Sequence, residues 1–118
     1  MYFKRNESYR YTFAQPVAGK LTKKDTSHKV TTDVHIRDVS LQGAKLYCQN
    51  TIELRKNTAI SLSFQLNNMP FQAAGNIVWI KTYPRWSELG VYLDTDDEYR
   101  EMLTWELKQI AKQKIHHP

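Results

Sequence analysis

Two stretches hold residues whose types and spacing could do chemistry. The first is Asp38-Val39-Ser40-Leu41-Gln42-Gly43, set between two apolar, strand-like runs. Asp38 and Ser40 can cap backbone N–H groups in a turn. Gly43 can take a positive φ, or let another backbone or a ligand come close. An Asp carboxylate can also accept two hydrogen bonds from the N1–H and N2–H₂ edge of guanine. The same six residues could therefore be a plain turn or a grip on a polar ligand, and by itself the stretch favours the turn. The second stretch, "YFKRNESYRYTF", interleaves Tyr2, Phe3, Tyr9, Tyr11 and Phe13 with Lys4, Arg5 and Arg10. Guanidinium groups hold phosphates bidentately and stack on bases, and aromatic rings offer bases a stacking surface. That composition suits a nucleotide, although some of the rings would instead fill a core.

Catalytic patterns are thin by comparison. Ser40 lacks the Gly-x-Ser-x-Gly context of a nucleophile elbow. Cys48, the one cysteine, lies in an apolar run and reads as a small core residue. His28, His35, His116 and His117 have no metal-ligand spacing supported by a carboxylate or cysteine. Asp96, Asp97 and Glu98 resemble a helix N-terminus more than an acid/base pair. No enzyme, metal or cofactor is expected.

The charge is unevenly placed. The chain has 118 residues and a net charge of +5. Residues 1–30 carry seven Lys/Arg against Glu7 and Asp25, whereas residues 31–118 carry ten of each sign. A local basic surface suits an anionic partner, or it merely aids solubility. No apolar run approaches the roughly 20 residues of a membrane-spanning helix, and "MYFKRNESYR" lacks the apolar centre of a signal peptide. A cytoplasmic protein without membrane insertion is expected.

The elements that must position these residues are mostly strands. "TAISLSFQL" alternates Ile60, Leu62, Phe64 and Leu66 with Ser61, Ser63 and Gln65, the pattern of a half-buried strand. "FQAAGNIVWI" and "GVYL" read as strands, and Gly75 suggests a bulge or sharp bend. "TTDVHI" and "GAKLYC" flank the Asp38–Gly43 stretch. "YTFAQPVAGKL" is a further strand, with Pro16 at an edge or bend. Thr95 and Glu98 have capping-box spacing. Tyr99, Met102, Leu103, Leu107 and Ile110 then recur at helical spacing, with Trp105 off that stripe. The expected fold is mainly β: a six-stranded antiparallel barrel over residues 13–94, a flexible basic segment over 1–12, and a C-terminal helix over 96–114, all in one domain of residues 1–118.

Motif and element order together resemble the PilZ domain family, receptors for the bacterial second messenger cyclic di-GMP. Asp38-Val39-Ser40-Leu41-Gln42-Gly43 matches its Asp/Asn-x-Ser-x-x-Gly motif. "LRKNTAISLSF" resembles the family's turn and following strand, with Asn57 where Gly is commoner, and Asn also tolerates the left-handed conformation. "LGVYLDTDDEYREML" resembles its last strand and helix start. The resemblance implies a six-stranded barrel with a C-terminal helix, and cyclic di-GMP held between an arginine segment and the Asp38–Gly43 turn. It implies that Arg10 contacts phosphate and stacks on guanine, Asp38 takes a guanine edge, Ser40 bonds the ligand or fixes the turn, and Gly43 permits close approach. The family's first Arg-x-x-x-Arg arginine falls on Asn6, with Arg5 one position earlier as the possible substitute. The expected partners are cyclic di-GMP and a downstream protein. With Asn6 in that place, a nucleotide-free interaction adaptor is the alternative. A single-stranded nucleic-acid binder would share the basic, aromatic N-terminus, but the basic excess is small and nucleic acid is not expected.

Overall fold

In a computed structural model, residues 10–24, 29–50 and 52–116 are described, with side chains to residue 113. Alternation decides the local structure. Along Ala59–Leu66 the side chains of Ile60, Leu62, Phe64 and Leu66 are buried while their neighbours face outward. Six such segments form β1 (Arg10–Lys24), β2 (Lys29–Ser40), β3 (Gly43–Gln49), β4 (Ala59–Leu66), β5 (Met69–Thr82) and β6 (Trp86–Asp94), followed by helix α1 (Asp97–His116). The strands pair antiparallel throughout and close in the order β1-β2-β3-β6-β5-β4. The sequence pattern anticipates this architecture. Closure leaves no free sheet edge.

Leu21, Ile36, Leu46, Leu62, Ile77 and Leu89 fill the barrel. Fully burying each such side chain stabilises the fold by about 1.5–3 kcal/mol. Cys48 is buried among them, and burial pushes its thiol up from the ordinary value. Helix α1 packs on the barrel through buried Tyr99, Leu103 and Leu107. The Tyr99 ring meets Phe71 edge-on at 5.4 Å, and Asn67 Nδ2 donates to Glu106 Oε1 at 2.8 Å. Trp105 stays 62% exposed, as its place off the stripe implies.

Turn chemistry follows residue type. The β4–β5 hairpin turns through Asn67 and Asn68, both at positive φ (52° and 68°), which a two-residue hairpin of the right twist requires. Asn57 likewise has φ 71°.

Three local expectations are corrected. Arg10, expected in the basic segment 1–12, opens β1 and pairs with β2, together with Tyr11 and Thr12, which the strand reading of residues 11–21 includes. The helix cap is Asp96, whose Oδ1 accepts the Tyr99 N–H at 2.9 Å, and not the Thr95–Glu98 pair, because the Thr95 hydroxyl donates to Leu41 O at 2.8 Å. Helix α1 accordingly begins at Asp97 and runs to His116. The β5 irregularity falls between Ile77 and Trp79, beyond Gly75. Gly75 serves a close approach instead: a Cβ there would lie 1.8 Å from Tyr92 O. Pro16 lies in a break of the β1–β2 ladder, where Phe13–Pro16 intervene between the Thr12–Asp38 and Val17–Ile36 pairs. The expectation of an edge or bent position for Pro16 holds there, in a stretch outside the register of β1 with either neighbour.

Candidate functional site

Strand register gathers the site. Arg10 pairs with Ser40, Ser40 with Gly43, and Gly43 with Tyr92, making one row across β1, β2, β3 and β6. The adjacent row runs Thr12–Asp38–Lys45–Gly90–Trp79 and reaches β5. Residues two apart along a strand share a face. The intervening Val39, Ala44 and Val91 are buried in the barrel, so both rows lie on its outer surface.

The Asp38–Gly43 stretch is less of a turn than its residue types suggest. Asp38 and Ser40 are the last residues on that face of β2, Gly43 opens β3, and only Leu41 and Gln42 form the turn. Both polar side chains are buried. Asp38 is balanced by Arg10, whose Nη1 donates to Asp38 Oδ1 at 2.5 Å. The carboxylate is 6% exposed and the guanidinium side chain 50%. Arg10 is thus anchored at one end while its outer surface faces solvent. Gly43 has no positive φ. Its role is proximity, since a Cβ there would sit 2.9 Å from Val91 O.

A groove of about 450 Å³ opens beside these residues, with Arg10, Ser40, Gly43, Lys45, Trp79 and Tyr92 in its wall. Asp38 lies outside that wall and reaches the groove through Arg10. Lys45 Nζ stands 3.8 Å from Glu88 Oε2. The groove therefore combines two cationic side chains with two exposed aromatic ones, a lining suited to a planar anion. Two larger hollows, about 850 and 990 Å³, contain none of Arg10, Asp38, Ser40 or Gly43. Arg5 and Asn6 lie outside the described residues.

Lys45, Trp79, Gly90 and Tyr92 have no motif of their own, and the sequence reading did not place them at the site. The signal that would have found them is register, counted outward from Asp38 across three ladders. The Leu41–Gln42 turn is also fastened to the head of the helix. Leu93 N–H donates to Gln42 O at 2.9 Å, and Thr95 Oγ1 donates to Leu41 O. Arg100 holds Thr95 in turn, through Nε to its hydroxyl at 3.1 Å and Nη2 to its carbonyl at 2.7 Å. Among the described residues no three His, Cys, Asp or Glu side chains gather as a metal site needs, and no helix is long and apolar enough to cross a membrane.

The PilZ domain profile matches residues 4–109. The chain belongs to the PilZ domain family. Solved PilZ structures share its fold. The PilZ domain of YcgR from Escherichia coli, solved with c-di-GMP, is 13% identical and superposes with a TM-score of 0.72, over 98% of this chain and 100% of that one. The Klebsiella MrkH–c-di-GMP complex is 14% identical, with a TM-score of 0.68 over 95% of this chain and 56% of MrkH. The Bacillus subtilis inhibitor of motility, MotI/DgrA, is 8% identical, with a TM-score of 0.67 over 94% of this chain and 53% of its own. At these identities the likeness is one of fold. No curated protein sequence matches.

Proposed function

We propose that this PilZ domain binds cyclic di-GMP in the groove beside Arg10 and relays its presence to a partner protein in the bacterial cytoplasm. The observation that carries the reading is the Arg10–Asp38 pair, with a buried carboxylate and a half-exposed guanidinium beside Ser40 and Gly43. The YcgR domain and MrkH, which share the fold, were solved with that nucleotide.

In this reading the outer surface of Arg10 meets phosphate and a guanine face. A carboxylate offers about four lone-pair sites, so Asp38 can keep Arg10 and still accept a guanine edge. Ser40 adds a hydroxyl, and Gly43 keeps the floor low enough for approach. Arg5 supplies a second guanidinium in place of the missing first motif arginine. For the relay, ligand bound at the Leu41–Gln42 turn pulls on the hydrogen bonds that fasten that turn to Leu93 and Thr95. The position of helix α1 then reports occupancy. Such a shift requires only that the ligand bind one arrangement better than the other.

Calorimetric titration with cyclic di-GMP tests the proposal. Saturable heat that disappears in Arg10→Ala and Asp38→Ala is expected. No heat, together with no thermal shift at high ligand concentration, would sink it.

A further inference from the structure

Away from the Arg10 groove, the outer face of the barrel carries an aromatic cluster beside a hollow. The Tyr83 and Trp86 rings stack at 4.3 Å with 18° between their planes, and Tyr47 meets Trp86 edge-on at 5.2 Å. Trp86 stays 39% exposed and Tyr83 37%. A lone exposed ring is ordinary on a protein surface. Three rings in mutual contact beside a hollow point to a docking surface.

Asn50 fixes the cluster. Its Nδ2 donates to Tyr83 O at 2.8 Å, its backbone N–H donates to Arg85 O at 3.2 Å, and its Oδ1 accepts from Ser87 Oγ at 2.5 Å. Tyr83 N–H donates to Trp86 O at 2.8 Å. The β5–β6 tip is thus tied to itself and to the residue that follows β3. Rings held in this way lose little freedom on meeting a partner.

Unequal strand lengths shape the hollow. The β2–β3 register ends at Val34–Cys48, and β2 extends beyond that pair to Lys29. The space at the end of β3, about 850 Å³, has Thr31 and Asp33 of β2 in its wall together with Tyr47, Gln49 and Trp86. It shares no lining residue with the Arg10 groove.

Charge selects the occupant. The two carboxylates beside the cluster are engaged: Asp33 Oδ1 accepts from Lys20 Nζ at 2.5 Å, and Glu88 Oε2 lies 3.8 Å from Lys45 Nζ. Arg37, Lys81 and Arg85 are exposed and, among the described residues, pair with no carboxylate. Arg37 Nη1 stands 3.5 Å from the Tyr47 hydroxyl. Lys81 shares a row with Glu88 and Tyr47, and Arg85 directly precedes Trp86. Cations without partners around an aromatic hollow suit carboxylates that flank an apolar side chain. A nucleic-acid backbone is better served by a continuous cationic track, which Asp33 and Glu88 interrupt.

We infer that the Tyr47–Tyr83–Trp86 cluster docks an acidic segment of a partner protein, with an apolar side chain entering the hollow and its flanking carboxylates meeting Arg37, Lys81 and Arg85. The inference rests on the relay part of the reading above for its partner, while its geometry is independent of the Arg10 groove.

The probe is a displayed library of random peptides, panned on the wild-type protein without nucleotide and depleted on Trp86→Ala. The retained sequences are expected to carry an apolar residue flanked by Asp or Glu. A synthetic peptide of the commonest retained sequence should shift the indole N–H resonance that Trp86→Phe lacks. Lys81→Glu combined with Arg85→Glu should weaken that peptide about ten-fold or more. No retained sequence, retained sequences without acidic residues, or wild-type affinity after the charge reversal overturns the inference. So does a single-stranded oligonucleotide that binds at Trp86 more tightly than the peptide. If Trp86→Ala does not fold, the charge-reversed protein replaces it in the depletion, since both of its altered side chains are exposed. Heat with cyclic di-GMP but no retained peptide leaves the receptor reading standing. Peptide binding without that heat leaves the docking surface standing and removes the receptor.

Discussion

Arg10 Nη1 lies 2.5 Å from Asp38 Oδ1, joining the first residue of β1 to a buried carboxylate near the end of β2. Arg10→Ala removes the guanidinium and leaves that carboxylate buried without it. The expected cost to folding is about 1–3 kcal/mol, read from urea midpoints. Affinity for cyclic di-GMP is expected to fall at least ten-fold, because one charged hydrogen bond is worth about 1.5–3 kcal/mol. Arg10→Lys restores the charge without the planar fork, so it should recover stability better than affinity. A variant that binds as the wild type does would remove Arg10 from the site.

Asn6 stands where the family motif has an arginine, and Arg5 is one residue earlier. Asn6→Arg is expected to strengthen cyclic di-GMP binding by about ten-fold or more, since it adds a charged contact to phosphate. Arg5→Ala should weaken the wild type but have little effect in the Asn6→Arg background. Equal losses in both backgrounds would mean that Arg5 does not substitute for the missing residue. Calorimetry on the four proteins reads the comparison directly.

Gly43 forms part of the groove floor, where a Cβ would stand 2.9 Å from the Val91 carbonyl oxygen and 3.5 Å from Ser40 Oγ. Both strands there are locked in ladders. Gly43→Ala must push β3 away from β6, at an expected cost of about 1–3 kcal/mol. Its thermal midpoint should drop even without nucleotide. An unchanged midpoint would show that the floor yields more easily than these distances imply.

Tyr99 carries a buried hydroxyl with no hydrogen-bond partner among the described residues, and burial pushes its phenol well above the ordinary value. Above about pH 10 the unfolded chain gives up that proton while the folded protein keeps it. The unfolded state then binds fewer protons, so stability falls as pH rises. Tyr99→Phe removes this part of the loss. At neutral pH it should be neutral or stabilising by up to about 1 kcal/mol, because no bond is broken and an unpaired hydroxyl leaves the core. Cys48, also raised by burial, contributes a loss of the same sign in both proteins. Urea midpoints at pH 7 and pH 10.5 make the comparison. An equal decline in both proteins would show that Tyr99 is not the group responsible.

The barrel was legible because its strands obey period two. Ile60, Leu62, Phe64 and Leu66 announce one buried face without help from the rest of the chain. The helix was legible from Tyr99, Leu103 and Leu107, whose spacing of four puts them on one helical face. What local pattern could not show was competition from distant partners. Thr95 has the right spacing to cap the helix, yet its hydroxyl is taken by Leu41, 54 residues away in sequence. Arg10 lies in a basic, aromatic run that resembles a tail, and only pairing with Ser40 makes it strand. Asp38, Ser40 and Gly43 stood out as a motif, whereas Trp79 and Gly90 belong to the same surface through register alone. Their connection depends on a slip in β5 that no residue type announces.

The break at Phe13–Pro16 divides β1 into two parts of unequal tenacity. Gly19–Lys23 are paired on both sides, to β2 and to β4. Arg10, Tyr11 and Thr12 have three partners on β2, and the β1–β4 register does not reach them. Phe13, buried in the core, pins the junction. Segments with so few ladder bonds open locally at far lower free energy than the whole domain unfolds. Backbone amides of Tyr11 and Thr12 should therefore exchange with solvent deuterium well before those of Leu21 and Thr22. The arm that presents Arg10 can let go of Asp38 and return while the barrel beneath it stays shut.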